Sequence, residues 1–374
     1  MRCKKITVSD FRNVESAEVC FEDGVNILLG KNAQGKTNLL EAVFYASVGR
    51  SFRGATGAQM IRFGSDLARI SLDFEAGGRD QNIDIRIFKD KQRLAEKNGI
   101  RIERLSELMG SFRAVIFCPE HLSLIKDGPA ERRGYMDIAI SRIYPTYIHS
   151  LQRYSHILKQ RNALIKDAVK NREAFDMTIE LWSRQLAHEA AVISDIRARF
   201  VSRVEKYIAE CFEQMTGESE RPTAVYDGSS GQSAEEYLDR VKTEERYFEL
   251  LTSNYEREIA NGATLWGIHK DDIDIRLNGK SARIYASQGQ QRSLALAMKL
   301  AEGEICREEF GDNPVFLFDD VLSELDDIRR DYIMNKMRDK QVIITTCETD
   351  FAESAEGARK IEVENGEYRL LGGN

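Results

Sequence analysis

The first third of the chain carries two kinds of apolar pattern. Residues Ile70–Phe74 and Ile83–Ile87 alternate apolar and polar side chains, which is typical of half-buried antiparallel strands. Residues Val25–Leu29 are more continuously apolar and lead straight into a glycine-containing loop. Beyond Lys36, apolar residues recur at helical spacing, at Leu39, Leu40, Val43 and Phe44. The pattern predicts a strand-rich region that contains one strand, loop and helix unit.

The middle of the chain is helical in pattern. Residues 146–216, a run of 71, contain neither glycine nor proline, the residues least compatible with a helix interior. A long amphipathic helix is predicted by apolar residues at three- and four-residue steps, at Trp182, Leu186, Ala190, Ile193, Ile196, Phe200, Val204, Tyr207, Cys211 and Met215. A second helix is predicted before it, over Leu151–Val169. Helices of roughly 25 to 40 residues reach about 40 to 60 Å, enough for a short stalk or a lobe.

Strand patterns return after residue 265. Ile273–Leu277, the dipeptide Asn278-Gly279 and Ser281–Tyr285 together predict a hairpin with a two-residue turn. The segment that begins at Ser287 then opens a predicted helix, whose apolar positions include Leu294, Leu296, Met298 and Leu300.

The last predicted strands are buried ones. Val315–Phe318 and Val342–Ile344 are short and apolar, as parallel strands covered on both faces are, and the pattern over Arg329–Arg338 predicts a helix between them. The core is thus predicted to lie in two halves of the sequence, separated by the helical region.

Charge is unevenly distributed along the chain. The net charge is -7, which by itself disfavours a nucleic-acid partner. Residues 126–172, however, carry about +6, whereas residues 205–260 carry about -8. This asymmetry predicts a basic face that could meet phosphates, although two solvated helix surfaces would give the same count.

The chain shows no sign of a membrane or of disulfides. No run approaches the roughly 18 apolar residues of a membrane span, and Met1–Lys5 leads into a strand pattern and not into a signal peptide. Six cysteines are scattered without a C-x-x-C pair, which indicates reduced thiols. We expect a cytoplasmic protein with no membrane partner.

Residues Gly30–Thr37 read GKNAQGKT, a phosphate loop of the form G-x-x-x-x-G-K-[ST]. Its glycines permit backbone N–H groups to point at anionic oxygens, and the helix N-terminus behind it adds a positive end. Lys36 would neutralise the β and γ phosphates, and Thr37 would hold Mg²⁺ through its hydroxyl. The predicted ATP-binding residues of this loop are Gly30, Lys31, Asn32, Ala33, Gln34, Gly35, Lys36, Thr37 and Asn38.

Two adjacent acids close the apolar strand at residues 315–318. Asp319 is placed as a magnesium-binding aspartate of the Walker B type, so Thr37 and Asp319 are the predicted metal ligands. Asp320 is placed to orient or deprotonate an attacking water. The predicted catalytic residues are Lys36, Asp319, Asp320 and Ser287.

A second anion-binding helix end is predicted in residues 287–293, which read SQGQQRS. This form resembles the signature of ABC-type ATPases, and Ser323–Asp326 resembles their D-loop. One nucleotide needs only one phosphate loop, so we expect a head-to-tail homodimer in which Ser287 of one subunit caps the γ-phosphate held by Lys36 of the other. Ser287, Gly289 and Gln290 are the predicted nucleotide contacts; a serine that merely caps its helix is the plainer alternative.

Several further stretches give the chain a resemblance to a family. Val8–Asn13 followed by the phosphate loop resembles the start of SMC-type ATPases, which implies that Arg12 contacts ATP phosphates. Cys118–Leu122, Gly128–Asp137 and Gly267–Asp272 are similar to runs typical of the RecF family of recombination mediators, and the resemblance covers essentially the whole chain. It implies an α/β fold: an ABC/SMC-type P-loop ATPase head with a mixed sheet core and an antiparallel β lobe, split by a helical insertion domain.

The predicted domains are residues 1–137 for the first half of the head, 138–262 for the insertion lobe or short stalk, and 263–374 for the second half. Three departures from the ABC pattern are visible. Asp320 replaces the usual glutamate, which indicates slow hydrolysis; Thr345 and Thr346 stand where a switch histidine is common; and no glutamine marks a Q-loop near Glu120.

The expected function is that of a weak ATPase with ATP and Mg²⁺ as cofactors, which dimerises on ATP to clamp DNA. The resemblance implies binding at duplex DNA and at single-strand/duplex junctions near gaps, together with RecR and RecO, so that RecA can load. The predicted DNA contacts are Arg132, Arg133, Arg153, Lys159 and Arg161, while His269 and Lys270 are open as either site or surface residues. The alternatives are another SMC-like ATPase of defence or of chromosomes, an ABC transporter ATPase and a nucleotide-gated scaffold that does not hydrolyse ATP.

Overall fold

The computed structural model of the chain describes residues 1–217, 220–355 and 357–371. Its strands are β1 (Arg2–Phe11), β2 (Val14–Cys20), β3 (Val25–Leu29), β4 (Leu67–Ala76), β5 (Arg79–Phe88), β6 (Leu94–Lys97), β7 (Ile100–Ile102), β8 (Ala114–Phe117), β9 (Pro222–Asp227), β10 (Asp272–Leu277), β11 (Lys280–Ser281), β12 (Val315–Asp319), β13 (Val342–Thr346), β14 (Arg359–Glu364) and β15 (Glu367–Leu371). Its α-helices are α1 (Lys36–Val48), α2 (Pro129–Ile143), α3 (Pro145–Asp167), α4 (Arg172–Thr216), α5 (Arg240–Ser253), α6 (Tyr255–Asn261), α7 (Ala282–Tyr285), α8 (Gln288–Phe310), α9 (Asp327–Lys336) and α10 (Thr349–Ser354).

The chain divides into two compact units. The first comprises residues 1–123, 211–218 and 295–374, and the second comprises residues 124–210 and 219–294. None of the helices in the described ranges is both long and apolar enough to cross a membrane. All six cysteines are free thiols in the structure.

Two six-stranded sheets form the first unit. One is antiparallel throughout, in the order β2-β1-β4-β5-β6-β7. The other has the order β15-β14-β3-β13-β12-β8, with five parallel strands and β15 antiparallel at one edge. The mixed sheet and the antiparallel β lobe of the predicted fold class are both confirmed.

Helix α1 contacts strands of both sheets. This position covers the helix on several sides, which suits a sequence that is mostly apolar beyond Asn38. Leu39, Leu40, Val43 and Phe44, which predicted the helix, are all buried. The helix therefore fixes the phosphate loop at its N-terminus against a rigid core.

The second unit combines helices with a small sheet. The long helical prediction is confirmed by α3 and α4, which have 23 and 45 residues. Strand β9 was not predicted; it pairs antiparallel with β10, so the sheet order is β11-β10-β9. The glycine-containing residues 228–231 follow this strand.

The predicted hairpin strand over Ser281–Tyr285 is wrong beyond its first residue. Asn278 and Gly279 form the turn with positive φ values of 51° and 78°, and β11 ends at Ser281, after which α7 begins. Five residues that alternate in polarity fit a helical turn as well as a strand. Ile284 and Tyr285 are mostly exposed, so no apolar face holds them in a strand.

Candidate nucleotide site

The phosphate loop connects β3 to α1, as predicted. A side chain at Gly30 is excluded, because a Cβ there would lie 2.2 Å from the carbonyl oxygen of Val363. Gly35 immediately precedes α1 with a φ of 114°, and Ala33 adopts a φ of 66°, which is uncommon for a residue with a Cβ. The loop backbone is thus held in a shape that favours convergent N–H groups.

Lys36 folds back over its own loop. Its Nζ donates to the carbonyl oxygens of Gly30 and Lys31, at 2.6 and 2.9 Å. Burial lowers the pKa of Lys36, whereas the negative charges of Asp320 and Asp319 oppose this effect. The ammonium group is therefore near enough to Asp319 and Asp320 for their charges to stabilise it.

Asp319 and Asp320 reach the loop because β3, β13 and β12 are parallel neighbours whose carboxyl ends meet at one edge of the sheet. Thr37 Oγ1 donates to Asp319 Oδ1 at 2.8 Å, and so does Thr345 Oγ1, also at 2.8 Å. Burial raises the pKa of Asp319, and the two hydroxyl groups counteract that rise. Asp320, one residue beyond the end of β12, has a buried Oδ1 with no hydrogen-bond partner among the described residues, so this carboxylate oxygen is free to bind.

Lys36, Thr37, Asp319, Asp320 and Thr345 all line one cavity of about 490 Å³. Its lining includes most of the predicted loop residues with Asp319 and Asp320, and it also includes residues that the sequence analysis did not single out as ATP contacts: Asn13, Phe52, Arg53, Pro119, Glu120 and Thr345. The sequence pattern could have indicated Glu120. It follows the apolar strand β8, just as Asp319 lies at the end of the apolar strand β12, and the two strands are parallel neighbours. The carboxylate of Glu120 thus lies where a Q-loop glutamine was expected.

Thr37 and Asp319 are suited to hold Mg²⁺. Both offer oxygen atoms, the ligands that Mg²⁺ prefers, and they already lie within hydrogen-bond distance of each other. Mg²⁺ sites in such proteins use one or two protein ligands together with substrate phosphates. The unpartnered oxygen of Asp320 supplies a further acceptor beside them.

Arg12 is fixed by an acid and lies outside the cavity lining. Its Nε and one terminal nitrogen donate to the two oxygens of Glu41, at 2.9 and 2.7 Å, and the side chain of Glu41 is fully buried. The other terminal nitrogen donates to the carbonyl oxygen of Gln59 at 2.9 Å. Arg12 therefore holds the middle of α1 through Glu41, and a contact of its guanidinium group with ATP stays a prediction.

The C-terminal hairpin of β14 and β15 holds the loop from outside. The amides of Asn365 and Gly366, in the hairpin turn, donate to the side-chain and main-chain oxygens of Gln34, at 2.5 and 2.9 Å. Tyr368 Oη donates to the carbonyl oxygen of Gly35 at 3.0 Å. Gln34, a predicted nucleotide contact, thus uses both oxygens within the fold.

Ser287 caps helix α8 in a reciprocal arrangement. Its Oγ accepts from the amide of Gln290 at 3.2 Å, while its own amide donates to Gln290 Oε1 at 2.7 Å. The side-chain Nε2 of Gln290 also donates to both carboxylate oxygens of Glu220, at 3.0 and 2.9 Å. Ser287 and Gln288 are exposed, so the start of this helix is presented to solvent.

Two of the five predicted DNA contacts are buried. Arg161 is completely buried in the second unit, where it bonds to Glu258 at 2.6 Å, to Thr264 at 2.8 Å and to Ser183 at 3.1 Å. Arg132 is 4% exposed and holds Asp272 through two bonds, at 2.6 and 2.8 Å. Both guanidinium groups are buried and hydrogen-bonded within the second unit. We therefore no longer propose them as phosphate contacts.

The other three basic residues remain at the surface to different degrees. Lys159 is exposed. Arg153 has 58% of its side chain exposed, although it pairs with Glu189 on α4. Arg133 is half-buried and donates to the carbonyl oxygen of Asp271 at 2.8 Å.

Residues Gly267–Asp272 form a structural junction. His269 Nδ1 lies 2.7 Å from Tyr154 Oη, and burial lowers the pKa of His269 to about 4. Asp271 is fully buried and accepts from Arg197 at 3.1 Å. Of the two residues left open by the sequence, His269 is half-buried and bonded to Tyr154, whereas Lys270 is exposed.

Comparison with known proteins adds to this geometry. The model of the RecF/RecN/SMC N terminal domain matches residues 2–369. The chain is 36% identical over 378 aligned positions to the DNA replication and repair protein RecF of Ruminiclostridium cellulolyticum, covering 100% of this chain and 99% of the relative. It is 37% identical over 346 positions to RecF of Geobacillus thermodenitrificans, covering 92% of each.

Solved structures agree in fold. The chain is similar to the recombination mediator protein RecF-ATPrS in the RecFOR pathway, with a TM-score of 0.93, 33% identity, and coverage of 99% of this chain and 98% of that one. The Smc head domain of Pyrococcus furiosus has a TM-score of 0.56 at 16% identity, with coverage of 99% and 95%, which shows a shared fold.

Proposed function

Because the chain belongs to the RecF family within the RecF/RecN/SMC group, we propose that it is an ATP-dependent DNA-binding protein of recombinational repair. The observation that carries this proposal is the convergence of Lys36, Thr37, Asp319 and Asp320 on one cavity. A related solved structure, RecF-ATP in the RecFOR pathway, supports ATP as the nucleotide.

In the cavity, the phosphate-loop amides and Lys36 would bind the β and γ phosphates. Mg²⁺, when bound by Thr37 and Asp319, would neutralise phosphate charge. Asp320 would orient the attacking water and accept its proton. Because the side chain of Asp320 is shorter than that of the usual glutamate and reaches less far, we infer slow hydrolysis.

ATP would also join two copies of the chain. The exposed start of α8, just after Ser287, would be a second anion-binding end, because it is the positive end of a 23-residue helix. We assign this end to the γ-phosphate held by the other subunit. The nucleotide state then sets the monomer–dimer equilibrium, because ATP binds the dimer more tightly than the monomer.

DNA would be held by basic residues of the second unit. Lys159 and Arg153 on α3, with Arg133 on α2, remain the proposed phosphate contacts. Duplex DNA and single-strand/duplex junctions are the proposed ligands. By the family assignment, RecR and RecO would act with this protein to load RecA at gaps, and the cytoplasm would be its location.

A fluorescence anisotropy titration tests this function. A labelled 30-base-pair duplex and a gapped version would be titrated with the wild-type protein in ATP, in ADP and without nucleotide, at several salt concentrations. The expected result is tighter binding in ATP, with affinity that falls steeply as salt rises. Tight binding that ignores the nucleotide would contradict the proposed clamp.

Two lysine variants sharpen the same titration. Lys159→Ala should reduce the slope of log affinity against log salt by about 0.9, the loss expected for one phosphate contact. Lys242→Ala is the control, because Lys242 is another exposed lysine of the second unit, with 76% of its side chain exposed, and lies within the negatively charged residues 205–260. Equal losses for both variants would remove α3 from the DNA surface.

A further inference from the structure

Thr345 lines the cavity beside Asp319 and Asp320. It lies near the end of β13, directly opposite Asp319 in the parallel ladder, and it is 1% exposed while still lining the cavity. A buried hydroxyl group in such a place must use its hydrogen-bonding capacity within the fold.

The Thr345 hydroxyl connects the two acids. It donates to Asp319 Oδ1 at 2.8 Å and accepts from the backbone N–H of Asp320 at 3.0 Å. A hydroxyl group has one donor and two acceptor positions, so a single side chain holds the metal-binding carboxylate and the backbone of the next residue at once.

Asp320 needs such a hold. Its φ is 52°, in the left-handed region that residues with a Cβ adopt at a cost. Its N–H also reaches the carbonyl oxygen of Thr345 at 3.2 Å, whereas Oδ1 of its carboxylate has no partner among the described residues. The orientation of this carboxylate is therefore set through the backbone.

We propose that Thr345 is a positioning residue for ATP hydrolysis, which keeps Asp319 and Asp320 in the geometry that metal binding and water activation require. It would do this without contacting the γ-phosphate, which separates its role from that of the switch histidine common at this position in related ATPases. The proposal rests on the proposed ATPase function.

Three variants test it. Thr345→Val removes the hydroxyl group at nearly constant shape, and Thr345→Ser keeps the hydroxyl group. Thr346→Val is the matched control: Thr346 is the next residue of β13, is 4% exposed, and its hydroxyl accepts from the amide of Glu348 at 3.0 Å. The control thus loses a similar bond that does not involve either acid.

The first measurement needs no nucleotide. Hydrogen–deuterium exchange of the Asp320 amide, read by fragmentation mass spectrometry, should be about tenfold faster in Thr345→Val, because one hydrogen bond is lost. Thr345→Ser should exchange within about threefold of wild type, and Thr346→Val should match wild type at Asp320. An unchanged rate in Thr345→Val would overturn the proposal whether or not the protein hydrolyses ATP.

The second measurement separates positioning from substrate binding. At saturating ATP, kcat of Thr345→Val should fall about tenfold or more with KM changed by less than about threefold, since the loss concerns groups that act in the transition state. The Mg²⁺ concentration needed for half-maximal ATP binding should rise, and Thr345→Ser should restore both. Faster exchange with unchanged kcat and Mg²⁺ dependence would reduce Thr345 to a fold-stabilising residue and overturn the proposal; a wild type that does not bind ATP would instead refute the proposed function.

Discussion

Thr37 Oγ1 donates a hydrogen bond of 2.8 Å to Oδ1 of Asp319, although the two residues are 282 positions apart in the chain. The bond exists because α1 starts just beyond β3, and β3 and β12 flank β13 in one parallel sheet. The phosphate loop and the acid strand are thereby brought to the same edge, as the sequence predicted.

Asp319→Asn should weaken Mg²⁺-dependent nucleotide binding. The amide carries no charge, so we expect the Kd for ATP to rise at least about tenfold with Mg²⁺ present, and less than about threefold in EDTA. Isothermal titration calorimetry under both conditions measures the two values. Asp339→Asn, at an exposed residue of the same unit, is the control; equal losses with and without Mg²⁺ would exclude Asp319 as a metal ligand.

Asp320→Asn should separate ATP binding from hydrolysis. Loss of a general base costs about 100-fold or more in kcat, while ATP still binds, so dimers should persist in ATP. Burial raises the pKa of Asp320 above its usual value near 3.8. Because the base must be deprotonated, kcat of the wild type should fall as the pH drops through this raised pKa, and the variant should lack that dependence; a fall that survives in the variant assigns the titration to another group.

Arg161 should matter for stability. Arg161→Met leaves the carboxylate of Glu258, which is completely buried, without its partner, and we expect the free energy of unfolding to fall by about 3 to 5 kcal/mol. Adding Glu258→Gln should recover part of this loss. Urea unfolding measures both variants, with Lys159→Met on the same helix as a control that changes stability by less than about 0.5 kcal/mol. A loss below about 1 kcal/mol for Arg161→Met would contradict its structural role.

His269 should make stability depend on pH. The pKa of the half-buried imidazole is about 4, below the ordinary value of 6.5, so the unfolded chain binds more protons between these values. The free energy of unfolding should therefore be greatest above pH 6.5 and decrease by up to about 3 kcal/mol as the pH falls towards 4. His269→Gln should flatten this slope in urea titrations at several pH values, whereas His156→Gln, at an exposed position on α3, should keep it. An unchanged slope in His269→Gln would place the titrating group elsewhere.

Local patterns predicted much of the fold. The apolar runs of β3, β12 and β13 required burial on both faces, the helical spacing of α1 and α4 required a buried surface, and the structure provides both. Strand β9 was missed because its partner, β10, lies about 50 residues further along the chain, and propensity alone does not reveal such a pairing.

The burial of Arg161 and Arg132 was not predicted, although their positions in the helical pattern indicate it. Arg161 lies four residues after Ile157 and four before Ile165, within the apolar stripe of α3, and all three are buried. Arg132 likewise precedes Met136, a buried residue of α2, by four positions. Lys159 lies off the stripe and is exposed. Position on the helix, and not charge, decides which basic residues face solvent.

In the proposed dimer, ATP joins the phosphate loop of one copy to the start of α8 in the other. Sedimentation velocity of Lys36→Ala, of Ser287→Arg and of their equimolar mixture, each with ATP and with ADP, tests this arrangement. Each variant alone should remain monomeric in ATP, whereas the mixture should form dimers, because the Ser287→Arg copy supplies an intact phosphate loop and the Lys36→Ala copy an intact signature. A mixture that stays monomeric where the wild type dimerises, or Ser287→Arg protein that dimerises by itself, would contradict the shared site.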